Sequence, residues 1–545
     1  MITASNAALE PRSGAANETP AAAGPSRDGA SGKLVHSPFP SFTGTLVHAA
    51  ARLQTLRWDR ALSRVRQEQE RALARIVGHA NFTEYGVRRG FSEIRSYRDF
   101  AGRVPIGDYD TFSPYIERMR QGEKNLLVPE FVRYFGNSSG SSTHGRSKFL
   151  PITERQIALQ RKSGTDGLSR ALVHLGERQF TQGFTLGLFP PTTMRPEGPV
   201  LITSNPALMI ATLPGLAKPA YLPDEECRRI GDYEEKMTRI ARTCLDHDVR
   251  ALAGTTCWFS LMFEKLLQEA ARRGRRARTV REIWPNLRIL LGGGVSAEPY
   301  RPLLREFMGR DDFVLVDSYN ATEGGIYAAT DHRDLPGMLM MPHRDTFFEF
   351  LPLEEHDNPS AHRVPLWEVE LDRQYAIVVT TVSGLYAYKL GDIVRFPEHN
   401  RIEFVGRLSG CLSVTQELTT HIEIEKAVSH AASVVPCTTL DFGASAEVGP
   451  RSRYLLFVEF AADRPPSDLQ AFARAFDEGL CRENRVYREH RVNDAALLPP
   501  RVVPLRRGGA KAYLDQVTRG NMQGKFPRII DPTRRDQVSA FEESV

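Results

Sequence analysis

Asn137-Ser-Ser-Gly-Ser-Ser-Thr-His-Gly-Arg-Ser-Lys148 is the stretch on which the reading of this chain turns. Its small hydroxyl residues and two glycines leave backbone amides free to face a phosphate, and Lys148 adds a positive charge. The common P-loop is excluded, because its lysine directly follows the second glycine, whereas here Gly145 is followed by Arg146 and Ser147. The segment therefore predicts phosphate binding on a different nucleotide fold. A polar surface loop has the same composition, so the reading depends on what accompanies it.

Two later segments accompany it. In Tyr319-Asn-Ala-Thr-Glu-Gly-Gly325 a carboxylate follows a strand and sits beside glycines that allow close backbone approach, which suits Glu323 to Mg²⁺. In Gly384-Leu-Tyr-Ala-Tyr-Lys-Leu-Gly-Asp-Ile-Val-Arg395, Asp392 lies just past a strand and can accept hydrogen bonds from two ribose hydroxyls. Taken singly, each acid is more often a helix cap or a turn residue; their order and combination argue for chemistry.

Around these motifs the chain reads as α/β. At 545 residues it exceeds what one hydrophobic core usually supports. Residues 41% hydrophobic and 25% charged, with no apolar run of about 18 or more, predict a water-soluble protein with no membrane partner. The net charge of +5 suits an anionic substrate and is too weak to argue for nucleic acid. Six cysteines without paired or metal-ligand spacing suggest neither disulfides nor zinc and fit a reducing cytoplasm. Residues 1–34, rich in Ala, Ser, Gly and Pro, are expected to form a disordered tail. Leu53, Leu56, Trp58, Leu62 and Val65 at helical spacing predict a helical layer. Strands are expected at Arg288-Ile-Leu-Leu, Phe313-Val-Leu-Val, Ala376–Val382, Ile402–Val405 and Tyr454–Phe460, with a helix over Leu261–Ala271. A boundary near Gly406 divides residues 35–405 from 406–545. The basic run Arg272–Arg278 reads as a helix end, and Asp246-His247-Asp248 as a surface turn.

These residues resemble the adenylate-forming superfamily and, within it, the Gretchen Hagen three (auxin-responsive promoter) family of acyl acid amido synthetases. Ser138-Ser-Gly-Ser-Ser with Lys148 is similar to the family's SSGTS loop, Trp284-Pro-Asn-Leu to its WPNL, and Tyr319–Glu323 to its adenylate motif. Phe347-Phe-Glu-Phe-Leu-Pro matches FFEFLP, Val379–Asp392 resembles the VTT…GLYRYRxGD strand, and Lys525-Phe-Pro-Arg528 resembles the closing YKxPR. Ala387 stands where the family has arginine, and Gln416-Glu-Leu lacks the family's lysine.

The resemblance implies a large N-terminal adenylation domain of layered sheets and helices, and a small mobile α+β C-terminal domain turning about Gly406 and Arg407. It implies ATP and Mg²⁺ as cofactors, a carboxylic acid substrate, and an amine co-substrate, by family habit an amino acid. Ser138, Ser139, Gly140, Ser141, Ser142 and Lys148 would hold the triphosphate. Gly293 and Gly294, in the Gly292–Ser296 segment, would lie along the nucleotide with Tyr319 and Thr322; Glu323 would hold Mg²⁺, Asp392 the ribose, and Lys525 the reacting carboxylate and α-phosphate. Two alternatives stay open: a ligase delivering the acyl group to a thiol, and a non-catalytic adenylate-binding scaffold. The acid, the amine and the oligomeric state are not legible.

Overall fold

A computed structural model describes residues 34–545 except 139–147, 190, 294–299, 332–334, 359, 413–418, 448–451, 485–486, 489–490, 492–496, 519–525 and 544–545, and without the side chains of 137, 138, 233, 234, 257, 409, 517, 518 and 533. Ser139, Gly140, Ser141, Ser142, Gly294 and Lys525 lie outside the described residues, as do residues 1–33 and Gln416.

The described chain opens with helices Phe42–Leu62 and Val65–His79. Trp58 is fully buried, donates Nε1–H to the Met340 carbonyl at 2.8 Å, and lies under the Arg170 guanidinium, 4.3 Å from its ring centre. Ala51, Trp58 and Ala61 form the inner face; Leu53 and Leu56 instead face outward, 60% and 53% exposed. An apolar residue every three or four positions shows that a face exists, but this helix carries two such faces and packing chooses one. In the second helix, buried Gln69 donates to the carbonyls of Pro342 and Thr346 and accepts from the Phe348 amide, tying the helix to strand Thr346–Pro352.

Three sheets build the large part of the molecule. The first is wholly parallel, in the order Tyr221–Leu222, Phe184–Leu188, Val249–Gly254, Ile289–Leu291, Val314–Val316. Its strands are short apolar runs because helices such as Tyr233–Cys244 and Thr256–Arg272 pack against it, burying Leu252, Leu290 and Leu315 with Ile240, Phe263 and Trp284. The second has eight strands with antiparallel neighbours, from Ser318–Ala321 and Gly325–Ala329 at one edge through Met338–Met340, Arg401–Arg407, Tyr388–Glu398, Gln374–Thr381 and Thr346–Pro352 to Val364–Pro365. All seven residues of Thr346–Pro352 are buried, so it shows no alternation of exposed and buried positions; its one carboxylate, Glu349, is matched by Arg363. The third, four-stranded sheet pairs Tyr134–Ser138 with Lys148–Ile152 antiparallel, Ser138 opposite Lys148.

The chain passes from the parallel sheet to the eight-stranded one within a single residue, Asp317, between Val314–Val316 and Ser318–Ala321. That crossing lies at the carboxyl edge of the parallel strands, where α/β sheets leave a crevice.

The Asp246-His247-Asp248 segment is a turn at the surface at Asp246 but not at Asp248. The Asp248 side chain is fully buried and accepts from Arg250 Nε at 2.9 Å and Asn286 Nδ2 at 2.9 Å, with His36 Nδ1 at 3.0 Å. Val35 pairs with His247 beside it, so Asp248 anchors the start of the described chain to the parallel sheet. The basic run does end a helix, with Arg272 and Arg273 on Glu269, and Arg273 and Arg275 on Asp246.

After Leu412 the buried apolar residues form clusters of their own. Helices His421–Val434 and Leu469–Glu483 pack together over a three-stranded sheet of Thr439–Glu447, Arg453–Phe460 and Arg501–Leu505. Gly406 and Arg407, the expected pivot, are the last two residues of strand Arg401–Arg407, paired with Ile393 and Asp392.

Candidate functional site

Thr322, Glu323 and Gly324 form a three-residue loop between the paired residues Ala321 and Gly325, and Gly325 takes φ +105°, open to glycine alone without strain. The loop tip thus projects at the end of edge strand Ser318–Ala321 away from the crossing at Asp317. Gly136 on the neighbouring four-stranded sheet lets it come close, since a Cβ there would lie 2.5 Å from Thr322 Cγ2.

Asp392 arrives from the middle of the same sheet. It is 4% exposed; Oδ2 accepts from Tyr319 Oη at 2.8 Å, and Oδ1 pairs with Arg407 Nε at 3.0 Å. Antiparallel pairing puts Arg407 directly opposite Asp392, whereas Tyr319 reaches it from the edge strand, 73 residues away in sequence. Burial raises the Asp392 carboxyl, and Arg407 and Tyr319 only partly offset it. Glu323 is pushed up to about 7, chiefly by burial and further by the Asp392 charge, against the opposing pull of Arg407 and Lys148. Lys148 sits with Nζ 5.6 Å from the Tyr109 ring centre, at the end of the hairpin that flanks the 139–147 segment. Tyr319, Glu323, Asp392, Arg407 and Lys148 therefore form one electrostatic group drawn from two sheets.

Gly292 and Gly293 follow strand Ile289–Leu291 on the same side: Ser318 Oγ donates to the Gly292 carbonyl at 2.8 Å, and a Cβ on Gly293 would meet Ser318 Oγ at 2.8 Å. Of the expected residues that are described, the structure brings together Lys148, Gly293, Tyr319, Thr322, Glu323, Asp392 and Arg407; Ser138 contributes its backbone to the hairpin beside them. Among the described residues no group of three or more His, Cys, Asp or Glu is arranged to hold a metal. A lone carboxylate beside bound phosphates is nonetheless the donor set Mg²⁺ commonly uses, so Glu323 fits that ion.

Three family models match the chain: the GH3 family N-terminal domain over residues 56–193, the central domain over 338–407 and the C-terminal domain over 422–534. The chain belongs to the GH3 family. Lys148 falls within the first GH3 match, and Asp392 and Arg407 within the second. Among similar proteins, the putative indole-3-acetic acid-amido synthetase GH3.10 of Oryza sativa subsp. japonica is 27% identical over 420 residues, 68% of this chain and 84% of the relative. The jasmonoyl-L-amino acid synthetase JAR4 of Nicotiana attenuata is 24% identical over 552 residues, 88% and 93%. The solved AtGH3.15 acyl acid amido synthetase in complex with 2,4-DB shares the fold, with a TM-score of 0.70 at 19% identity over 93% of this chain and 97% of that one.

Gln156 was not foreseen in this GH3 site. Thr153-x-x-Gln156 has the spacing of a capping box, and Thr153 does cap helix Glu154–His174 by accepting from the Gln156 amide. The Gln156 side chain, fully buried, turns away instead: Nε2 donates to the Thr322 carbonyl at 2.8 Å while Oε1 accepts from Ser383 Oγ. It fixes the loop that carries Glu323, a role the local signal conceals because the same residue pattern normally closes on its own helix. Ala387, where the family has arginine, is fully buried at φ +47°, its amide on Thr380 Oγ1 and its carbonyl accepting from Gly107.

Proposed function

We propose that this GH3 protein activates a carboxylic acid with ATP as an acyl-adenylate, releasing pyrophosphate, and transfers the acyl group to the amine of an amino acid, forming an amide and releasing AMP. The observation that carries the reading is the single charged group made by Lys148, Tyr319, Glu323, Asp392 and Arg407 at the crossing between sheets. The relatives named as amido synthetases support it.

In the first step a substrate carboxylate oxygen attacks the α-phosphorus and pyrophosphate departs, so the protein's work is positioning and neutralising charge on phosphoryl oxygens. Ser138–Ser142 and Lys148 hold the triphosphate. Asp392 holds the ribose: two of a carboxylate's roughly four acceptor positions are taken by Tyr319 and Arg407, leaving room for hydroxyls. Arg407, 52% exposed on its side chain, is free to shift as the nucleotide enters. Gly293, Gly294 and Thr322 lie along the nucleotide. Glu323 would hold Mg²⁺, which would supply positive charge to neutralise the phosphate oxygens. Lys525 comes from the C-terminal part to the reacting carboxylate.

Residues 35–405 act as the adenylation domain and 406–545 as a small domain that moves about Gly406 and Arg407 between the two steps; the separate apolar clusters after Leu412 support that division. No helix among the described residues is long and apolar enough to cross a membrane, and the free Cys227, Cys244, Cys411, Cys437 and Cys481 suit a reducing cytoplasm.

Pyrophosphate exchange into ATP across a panel of carboxylic acids, followed by mass spectrometry with amino acids, other amines and coenzyme A, tests the reading. Acid-dependent exchange with an amide product is expected. A thioester product would reassign the acceptor, and no exchange with any acid would sink the activity.

A further inference from the structure

Away from the site, helix Phe42–Leu62 is apolar on two opposite faces. Ala51, Trp58 and Ala61 are buried inward against helix Glu154–His174, whereas Phe42, Leu46, Leu53 and Leu56 are 63%, 62%, 60% and 53% exposed outward. With exposed Ala49 between them, successive members of the outer stripe are four, three, four and three residues apart, the spacing of a helix–helix seam. A helix with two apolar faces buries both only where something packs on each side. The four large side chains expose on the order of 400 Å², the size at which an apolar patch marks a contact.

Two features of the stripe say what covers it. First, it is close to palindromic about Ala49: Leu46 and Leu53 stand three and four positions on either side, Phe42 and Leu56 seven and seven. A seam of that form is complementary to itself when one copy is reversed, which is what a two-fold axis requires. Second, the charges beside the stripe, Arg52 and Arg57, and Arg60 at its C-terminal end all lie in the C-terminal half, while the N-terminal half is flanked by uncharged Thr43 and Thr45. Reversed copies set Arg52 and Arg57 beside threonines and place the two copies of Arg60 at opposite ends of the seam; parallel copies would crowd the arginines together.

We propose that this face is the interface of a homodimer, with the helix crossing its symmetry mate antiparallel at Ala49. Leu46 then packs on the partner subunit's Leu53 and Phe42 on the partner subunit's Leu56, with Ala49 at the centre allowing close approach. The stripe alone provides about half of the roughly 800 Å² per partner found in stable interfaces, and the arginine stems and threonines beside it add to that area, so a dimer populated at micromolar concentration is expected.

Sedimentation equilibrium of the full chain from about 1 to 100 µM tests this, with mass rising from 61.1 kDa toward twice that value. Leu53→Glu should weaken association at least about tenfold with an unchanged melting temperature, because an unpaired charge is placed at the seam. Under mild oxidation Ala49→Cys should cross-link to its mate. Leu53→Cys alone should not, since reversal separates the two copies of residue 53 by about 12 Å along the axis. A wild-type chain that stays monomeric at 100 µM, or a dimer that survives Leu53→Glu, would overturn the proposal; a Leu53→Cys cross-link would overturn the antiparallel arrangement.

Discussion

Asp166 and Asp392 are both buried carboxylates, 1% and 4% exposed, and the protein treats them in opposite ways. Asp166, on helix Glu154–His174, is gripped by Arg344 through Nε at 2.7 Å and a terminal nitrogen at 2.6 Å, with His343 Nε2 at 3.1 Å and Gln54 Nε2 completing the ring. Burial pushes its carboxyl up, but His343 and Arg344 outweigh it and hold the group below its ordinary value. Among the described residues Asp392 has only Tyr319 and a half-exposed Arg407, and burial wins. A fully partnered carboxylate is a structural clamp that a ligand cannot improve. One left short of partners in a crevice costs stability until a ligand supplies the missing hydrogen bonds.

The contrast is open to direct attack. Lys525→Ala should abolish acyl-adenylate formation while leaving the melting curve in place; pyrophosphate exchange at the wild-type rate would remove Lys525 from the reaction. Asp166→Ala should cost about 3–5 kcal/mol in urea unfolding by leaving Arg344 and His343 without their anion, with turnover per folded molecule retained. A stable Asp166→Ala protein would end its description as a clamp. Asp392→Asn should do the reverse, raising the ATP requirement about 10- to 150-fold, from the loss of about 1.5–3 kcal/mol of charged hydrogen bonding, without lowering stability. Unchanged ATP affinity would take the ribose away from Asp392.

Glu423 sharpens the comparison, because its carboxyl is pushed up to about 6, mainly by burial, yet its partners are the capping box on Thr420 and Asn484 rather than any member of the group around Asp392. The unfolded chain ionises this acid near 4.5, before the folded one does. The contribution of Glu423 to stability should therefore be largest below pH 4.5, fall by about 2 kcal/mol as pH rises to about 6, and then level off. Glu423→Gln retains the cap and should flatten that slope in urea titrations at pH 4.5 and 7. A raised pKa alone does not mark a site; the distinction lies in what stands beside the group.

Much of the site could be read from residues in order. Glu323 and Asp392 were legible because each carboxylate sits beside a glycine near a strand, though Asp392 proves to lie within strand Tyr388–Glu398 rather than just past one; Tyr319 was legible only through the family motif. Arg407 opposite Asp392 follows from strand register. Gln156 was hidden because its spacing has a common local meaning, which the side chain declines in favour of a carbonyl 166 residues away. Asp248 was misread as exposed for a related reason: a charged triplet after a helix is usually solvated, and only the convergence of His36, Arg250 and Asn286 supplies partners that let it be buried.

By itself, then, the sequence determined many of the strands and helices and the family to which its motifs point, because periodicity, glycine placement and motif order are properties of neighbouring residues. Only the tertiary structure decided which face of helix Phe42–Leu62 turns inward, which acids are clamped and which are left short of partners, and how Tyr319 meets Asp392. Those outcomes rest on contacts between residues far apart in the chain, and burial, hydrogen-bond supply and charge balance exist only once the contacts are made.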